Sequence, residues 1–217
     1  MTSIQDIPVE IIAIIFKFQP NWVLPILGLV NTKFRHATEL CSSEHETPTY
    51  EKIASFGWLS VLKWLRKQNP SCSWDESTCM MAAYGGHLEV LKWLRKQDPP
   101  CHWDCYTCGA AAGAGHLDVL KWLRKQDPPC PWDEWICREA AREGHLEVLQ
   151  WLRKQNPPCP WNKWTCNSAA EGGYLEVLKW LRKQSPPCPW DEWTCREAAS
   201  GGHLEVLNWL KDNGCPD

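Results

Sequence analysis

The chain lacks a strong charge of either sign: 23 Lys and Arg face 26 Asp and Glu, a formal net charge of −3. The molecule as a whole is therefore not an electrostatic nucleic-acid binder. It also lacks a long uninterrupted apolar run. The most apolar stretch, IIAIIF at residues 11–16, lies between Glu10 and Lys17, has no basic leader, and is followed by Pro20 and Pro25. Neither a signal peptide nor a membrane span is expected from it. No Gly-rich phosphate loop and no isolated carboxylate pair stands out. No nucleophile has a plausible base and orienter, so the chain is not expected to be an enzyme, and no cofactor is implied.

Cysteine and tryptophan are plentiful instead, 13 and 16 among 217 residues. In a secreted chain that many cysteines would suggest a disulfide framework. Here they fall into two columns with a fixed period: Cys72, Cys101, Cys130, Cys159 and Cys188, then Cys79, Cys108, Cys137, Cys166 and Cys195. They read as reduced, mostly buried thiols acting as small apolar residues in a reducing compartment. Glycines at 57, 86, 115, 144, 173 and 202 recur every 29 residues. Tryptophans at 64, 93, 122, 151, 180 and 209 keep the same step, as do those at 74, 103, 132, 161 and 190. A fixed period of this length marks a repeat array. The units run 46–74, 75–103, 104–132, 133–161, 162–190 and 191–217. Residues 1–40 show none of this periodicity, and 41–45 form a polar linker.

Each unit reads as two short helices. Asp75, Asp104, Asp133, Asn162 and Asp191 suit the N-cap of the first, because their side-chain oxygens accept orphan backbone N–H groups. The glycine stops it. The second begins at HLEVLKWLRKQ, where Leu88, Leu91 and Leu94 recur at helical spacing beside Val90 and Trp93. Pro99 and Pro100 bar its continuation. Asn213-Gly214 suits a final left-handed turn and a terminal cap.

Within the first helix, Thr107, Cys108, Ala111 and Ala112 and their equivalents hardly change from unit to unit. They share one face, and their small size permits close helix packing. Five other columns vary freely at i, i+3, i+4, i+7 and i+8 and read as an outward, target-binding face. That face is expected to include Met80, Met81 and Tyr84 in unit two and Tyr106 in unit three. Unit four adds Trp135, Arg138, Glu139 and Arg142. Unit five adds Trp164, Asn167 and Glu171, and unit six adds Trp193, Arg196 and Glu197.

AAREGHLEVLQWL and AAYGGHLEVLKWL resemble the ankyrin repeat, with its Ala-Ala pair, Gly-His and apolar second helix. The resemblance covers residues 46–217 and implies an all-α, ankyrin-like helical solenoid that binds proteins. The chain departs from the family in two ways. The period of 29 is shorter than the usual ankyrin period of about 33. The proline-rich connection QDPPCPWD is not expected to form a β-hairpin, because proline cannot donate to a ladder. Binding is thereby shifted onto the varied helix face.

The lead segment resembles an F-box. Ile7-Pro8-Val9-Glu10-Ile11 matches that family's opening, and Ile15, Leu24, Leu29, Val30, Phe34 and Arg35 follow without a gap. Ile7, Gln19 and Asn31 depart from its pattern. The resemblance implies docking on a Skp-type adaptor through Ile7, Pro8, Glu10, Ile11, Ile15, Leu24, Val30 and Phe34. The chain would then be the non-catalytic substrate receptor of an SCF-type, cullin–RING ubiquitin ligase, with the target held by the repeats. F-box proteins with ankyrin-like repeats are known from large DNA viruses, and this chain is similar to those. A cytoplasmic or nuclear site, in a host cell if viral, follows.

Blander readings stand beside these. The lead segment can be a cap on the first repeat, since solenoids require capped ends, which leaves a plain scaffold. The basic columns Lys92, Arg95 and Lys96 can form a ridge for nucleic acid, although Glu89 and its equivalents recur one turn away. Cys101, His102, Cys105 and Cys108 carry ligand-type side chains, but Cys101 and Cys108 are ordinary column members, so no metal is expected. His87, His116, His145 and His203, in one column at a helix start, read as structural.

Overall fold

The computed structural model describes residues 50–68 and 74–216, apart from the side chains of residues 64 and 68. Among the described residues every regular element is a helix and none is a strand. Six helix pairs follow one another: α1 (Tyr50–Ser55) with α2 (Leu59–Gln68), α3 (Glu76–Tyr84) with α4 (Leu88–Arg95), and α5 (Cys105–Gly113) with α6 (Leu117–Arg124). Then come α7 (Glu134–Arg142) with α8 (Leu146–Arg153), α9 (Lys163–Glu171) with α10 (Leu175–Arg182), and α11 (Glu192–Ser200) with α12 (Leu204–Asp212). Residues 1–49 lie outside the described residues, and with them the F-box-like positions Ile7, Pro8, Glu10, Ile11, Ile15, Leu24, Val30 and Phe34. Cys72 lies outside them too.

The signals in each unit act where they stand. Asp75, Asp104, Asp133, Asn162 and Asp191 each cap a first helix, accepting backbone N–H groups such as Trp135 N at 3.0 Å. The first helix ends in a Schellman motif. His116 N donates to Ala111 O at 2.8 Å and Gly115 N to Ala112 O at 3.2 Å. The glycine between takes φ of +77°, a left-handed conformation that an L side chain resists. Proline follows the second helix, and the chain turns through the loop to the next N-cap.

Two layers result. The first helices pack closely on one another from unit to unit, while the second helices stand farther apart. Close approach is possible because the shared face is small: Cys108, Ala111, Ala112, Cys137, Ala140 and Ala141 are fully buried. The second helices contribute the apolar filling between the layers, with Leu120, Leu123, Leu149 and Leu152 fully buried.

The histidine column ties neighbouring units together. His87 Nε2 lies 2.9 Å from Ser55 O, His116 Nε2 3.0 Å from Tyr84 O, and His145 Nε2 3.0 Å from Gly113 O. Each of these carbonyls belongs to the last residue of the preceding unit's first helix, where an intrahelical partner is missing. The histidine is thus a cap supplied by the next unit. His145→Ala is expected to destabilise the array by about 0.5–1.5 kcal/mol, the usual net value of one such bond. His145→Gln, which keeps an N–H donor, should lose less. Chemical denaturation followed by circular dichroism measures both.

At the last pair, Gly214 takes φ of +76° and Cys215 N bonds Leu210 O at 3.0 Å, as expected of the Asn-Gly stop. The stacking face of this unit is nonetheless open. Ala199 is exposed where Ala112 is buried, and Leu204 is 69% exposed.

Candidate functional site

The two layers present different chemistry. On the second-helix side a ladder recurs from unit to unit. The Arg95 guanidinium lies 3.9 Å from the Trp103 ring centroid, Arg124 3.8 Å from Trp132, Arg153 3.9 Å from Trp161 and Arg182 3.8 Å from Trp190. Each of these tryptophans meets the next unit's helix tryptophan edge-on, as Trp132 does Trp151 at 6.2 Å. The same guanidiniums donate to loop carbonyls: Arg95 Nη1 to Cys101 O at 2.7 Å, Arg124 to Cys130 O at 2.6 Å and Arg153 to Cys159 O at 2.7 Å. A planar fork that stacks and bonds at once is an arginine function that lysine does not reproduce. The arginines of the proposed nucleic-acid ridge are therefore engaged in holding the loops. Lys92 and Lys179 pair with Glu89 and Glu176, each at 2.7 Å.

The two cysteine columns converge. Within each unit the first-helix thiol meets the loop thiol: Cys79 with Cys101, Cys108 with Cys130, Cys137 with Cys159, Cys166 with Cys188, and Cys195 with Cys215. The loop thiols also donate to the carbonyl before the first helix, Cys101 Sγ to Asp75 O at 3.1 Å and Cys130 Sγ to Asp104 O at 3.2 Å. The paired thiol and burial push the ionisation of Cys79, Cys108, Cys159 and Cys188 far above the usual thiol range. Burial and Cys195 raise Cys215 to about 12. Cys105 is less buried, but burial and the carboxylates of Asp133 and Asp104 raise it as well. Cys101 is thus occupied by Asp75 and Cys79, and His102 is exposed. Among the described residues no three His, Cys, Asp or Glu side chains are placed to share a metal ion.

Since thiolate is the reactive form, alkylation of the folded protein should, among the described cysteines, modify Cys105 first and Cys215 next. The fully buried pairs should react only on unfolding. Peptide mapping by mass spectrometry after timed iodoacetamide treatment reads this order. Early modification of Cys108 or Cys137 would contradict the packing.

The varied face of the first helices divides in two. At Gly109, Arg138 and Asn167 its i+3 column turns toward the next unit rather than outward. The Trp135 ring occupies the space that a side chain on Gly109 would need. Arg138 Nε donates to Ser168 Oγ at 3.3 Å. Asn167 was expected on the target face, yet it is 2% exposed. Its amide donates to Asp191 at 3.4 Å and its carbonyl oxygen accepts from Thr194 Oγ1 at 2.6 Å. The neighbouring unit's cap and threonine offer polar partners, so Asn167 belongs to the joint between units. Arg196, the last of the column, is exposed.

The rest of the face does look outward. Tyr84 and Tyr106 are 57% and 55% exposed, and Trp164 and Trp193 are each 44% exposed. Trp135 is half-buried and meets Tyr106 edge-on at 5.3 Å. Met80, Met81, Glu139 and Glu197 are half-buried, while Arg142 and Glu171 are exposed. Arg142 Nε donates to Glu143 at 3.1 Å, and Glu143 followed by Glu139 holds its guanidinium above the ordinary range. Lys163 bonds Asp191 at 2.8 Å. Burial pushes the Asp191 carboxyl up, but Lys163 and Asn167 outweigh it and hold it below the usual carboxylate range. This is a shallow face with a row of rings, suited to a macromolecular surface rather than to a small molecule.

The arginine ladder and the thiol pairs escaped the sequence reading. Their signal was present as fixed spacing: each arginine precedes a tryptophan by eight residues in the first five units, and the two cysteine columns keep the 29-residue step from Cys72 to Cys188 and from Cys79 to Cys195.

The family model for ankyrin repeats (many copies) matches residues 50–95. Among solved structures, the chain is similar to the human ASB11 ankyrin repeat domain, with a TM-score of 0.50 and 18% identity. That match covers 78% of this chain and 85% of that one. A further match is the pentatricopeptide repeat protein PPR10 in complex with an 18-nt psaJ RNA element. Its TM-score is 0.38 at 16% identity, over 96% of this chain and 34% of that one. No curated protein sequence matches. The fold is an ankyrin-like helical solenoid, without the strand pairs of longer units among the described residues. No helix among the described residues is long and apolar enough to cross a membrane.

Proposed function

We propose that this ankyrin-like array is a protein–protein interaction module that docks a target protein on its first-helix face. In the finer reading it is the substrate receptor of an SCF-type, cullin–RING ubiquitin ligase. The docking reading is carried by one observation: the exposed rings of Tyr84, Tyr106, Trp164 and Trp193 lie on the first helices, in the columns that change from unit to unit. Exposed aromatic side chains on a rigid scaffold are the usual anchors of protein interfaces. Among the described residues the second-helix side offers no comparable row, because its tryptophans are covered by arginines and by one another.

The ligase reading rests on the F-box-like sequence from Ile7 to Arg35 placed ahead of such an array. That segment docks a Skp-type adaptor, and the array holds the target within reach of the transfer machinery. This chain supplies no catalytic group and no cofactor. It works in the cytoplasm or nucleus, of a host cell if it is viral.

Co-expression with a Skp-type adaptor, followed by size-exclusion chromatography, tests this. A stoichiometric complex is expected. It should disappear in a Pro8→Ala, Ile11→Asp, Ile15→Asp variant that keeps its helicity. Absence of any complex with several adaptors would remove the ligase role. The lead segment would then be a cap, and the chain a scaffold acting through its first-helix face.

A further inference from the structure

Charge in this molecule is sorted by layer. The first helices with their N-caps and glycine turns (50–57, 74–87, 103–116, 132–145, 161–174 and 190–203) carry twelve carboxylates and five cations. The second helices and their loops (59–68, 88–102, 117–131, 146–160, 175–189 and 204–216) carry fifteen cations and eight carboxylates. The near-neutral chain is thus a plate with one acidic side and one basic side. The exposed rings stand on the acidic side.

Rings and carboxylates share that face in register. Glu139 follows Trp135 by four residues and Glu197 follows Trp193 by four, each one helical turn away. Glu171 follows Trp164 by seven, on the same face. The rings already hold cations from this chain: Lys163 Nζ lies 5.4 Å from the Trp164 centroid and Arg196 Cζ 4.8 Å from that of Trp193. Each ring has a second face, and among the described residues no cation lies over Tyr84 or Tyr106. An aromatic face beside a carboxylate recognises a cationic side chain through two attractions at once, ring quadrupole and opposite charge.

The spacing selects the shape of the ligand. First helices in contact stand about 8–10 Å apart. An extended chain in the polyproline II conformation advances about 3.1 Å per residue and, with three residues per turn, turns every third side chain to the same side. Three residues of extended chain therefore span one unit.

We propose that the first-helix face receives an extended basic segment of the partner protein. Its Lys or Arg side chains, at every third residue, sit against Tyr106, Trp135, Trp164 and Trp193 and the carboxylates beside them. The proposal rests on the docking face assigned above and names the chemistry of its occupant. The apolar end of the face, at Met80, Met81 and Tyr84, takes an uncharged flank of the same segment.

The test uses the full chain and fluorescein-labelled peptides of about twelve residues, read by fluorescence anisotropy. One has arginine at every third position with serine and glycine between. A second has the same composition with its arginines clustered. A third carries glutamate for arginine, and a fourth is uncharged. The every-third peptide is expected to bind about tenfold more tightly than the clustered one. Binding should weaken about tenfold in Trp164→Ala, Trp193→Ala and in Glu139→Gln, Glu171→Gln, Glu197→Gln. Lys96→Ala, Lys125→Ala, Lys154→Ala on the opposite side should leave it unchanged. Circular dichroism and a thermal midpoint establish that each variant is folded.

Equal affinity for spaced and clustered peptides, or no loss in the two face variants, overturns the proposal in favour of diffuse charge attraction. No basic peptide bound at about 100 µM, where even a weak specific complex would register, overturns it as well. If the glutamate or uncharged peptide binds instead and is lost in Trp164→Ala, Trp193→Ala, the docking face stands while its basic occupant falls. If none of the four peptides binds, the docking face loses its support together with its basic occupant.

Discussion

Leu149→Ala lowers the unfolding free energy of the array by about 2–5 kcal/mol, the range for removing a fully buried leucine side chain and leaving a cavity. Leu149 is 0% exposed, in the middle of α8, with units on both sides. Its neighbours Val148 and Leu152 are equally buried, so little can relax into the space. In a repeat array each unit is supported by its own packing and by two interfaces. A central truncation therefore weakens a unit and both of its joints. Leu204→Ala provides the contrast. Leu204 occupies the position of Leu146 in the last unit but is 69% exposed, so its loss should stay within about 0.5 kcal/mol. Urea denaturation followed at the helical circular-dichroism band measures both. A change under about 1 kcal/mol for Leu149→Ala would mean that the core does not run through the second helices.

Arg153→Ala is expected to destabilise the fold by about 2–3 kcal/mol although it removes a half-buried, charged side chain. The guanidinium makes a charge-assisted bond of 2.7 Å to Cys159 O and stacks 3.9 Å from the Trp161 centroid. Cys159 in turn joins two helices through its N–H to Leu152 O at 3.1 Å and its thiol to Asp133 O at 3.4 Å. Removing the arginine thus leaves a carbonyl without its donor at the point where the loop is fastened. Arg153→Lys keeps the charge and should recover less than half of the loss, because an ammonium cannot stack and bond in one plane. A double-mutant cycle with Trp161→Ala isolates the stacking contribution, expected at about 0.5–2 kcal/mol. Full stability in Arg153→Ala, with reduced retention on a nucleic-acid column, would return that guanidinium to solvent and revive the basic ridge.

Much of the fold was legible because one unit had to pack on copies of itself. The 29-residue step, the aspartates before each first helix, the left-handed glycines and the prolines after each second helix act locally. Their consequences appear in the structure where the sequence places them. The small-residue columns gave the packing face for the same reason. The proposed docking face was legible only in part. A helical wheel separates the side that changes from the side that does not. It does not tell a residue facing solvent from one facing the next unit, since both positions are free to differ. Asn167 and Gly109 lie on the varying side and are buried because Thr194 and Trp135 of the following units reach them.

By itself, then, the sequence determined the helix pairs, their caps and stops, their order and the side on which they stack. Those features depend on interactions within about one helical turn, or on a contact repeated in every unit. Only the tertiary structure decided what long-range neighbours decide. It set Gly109, Arg138 and Asn167 into the joints, gathered two cysteine columns into pairs, and turned a column of arginines from a solvent ridge into fastenings for the loops. It also placed the exposed rings on the acidic layer. A side chain's partner across units depends on how the layers stand against each other, and no single unit contains that information.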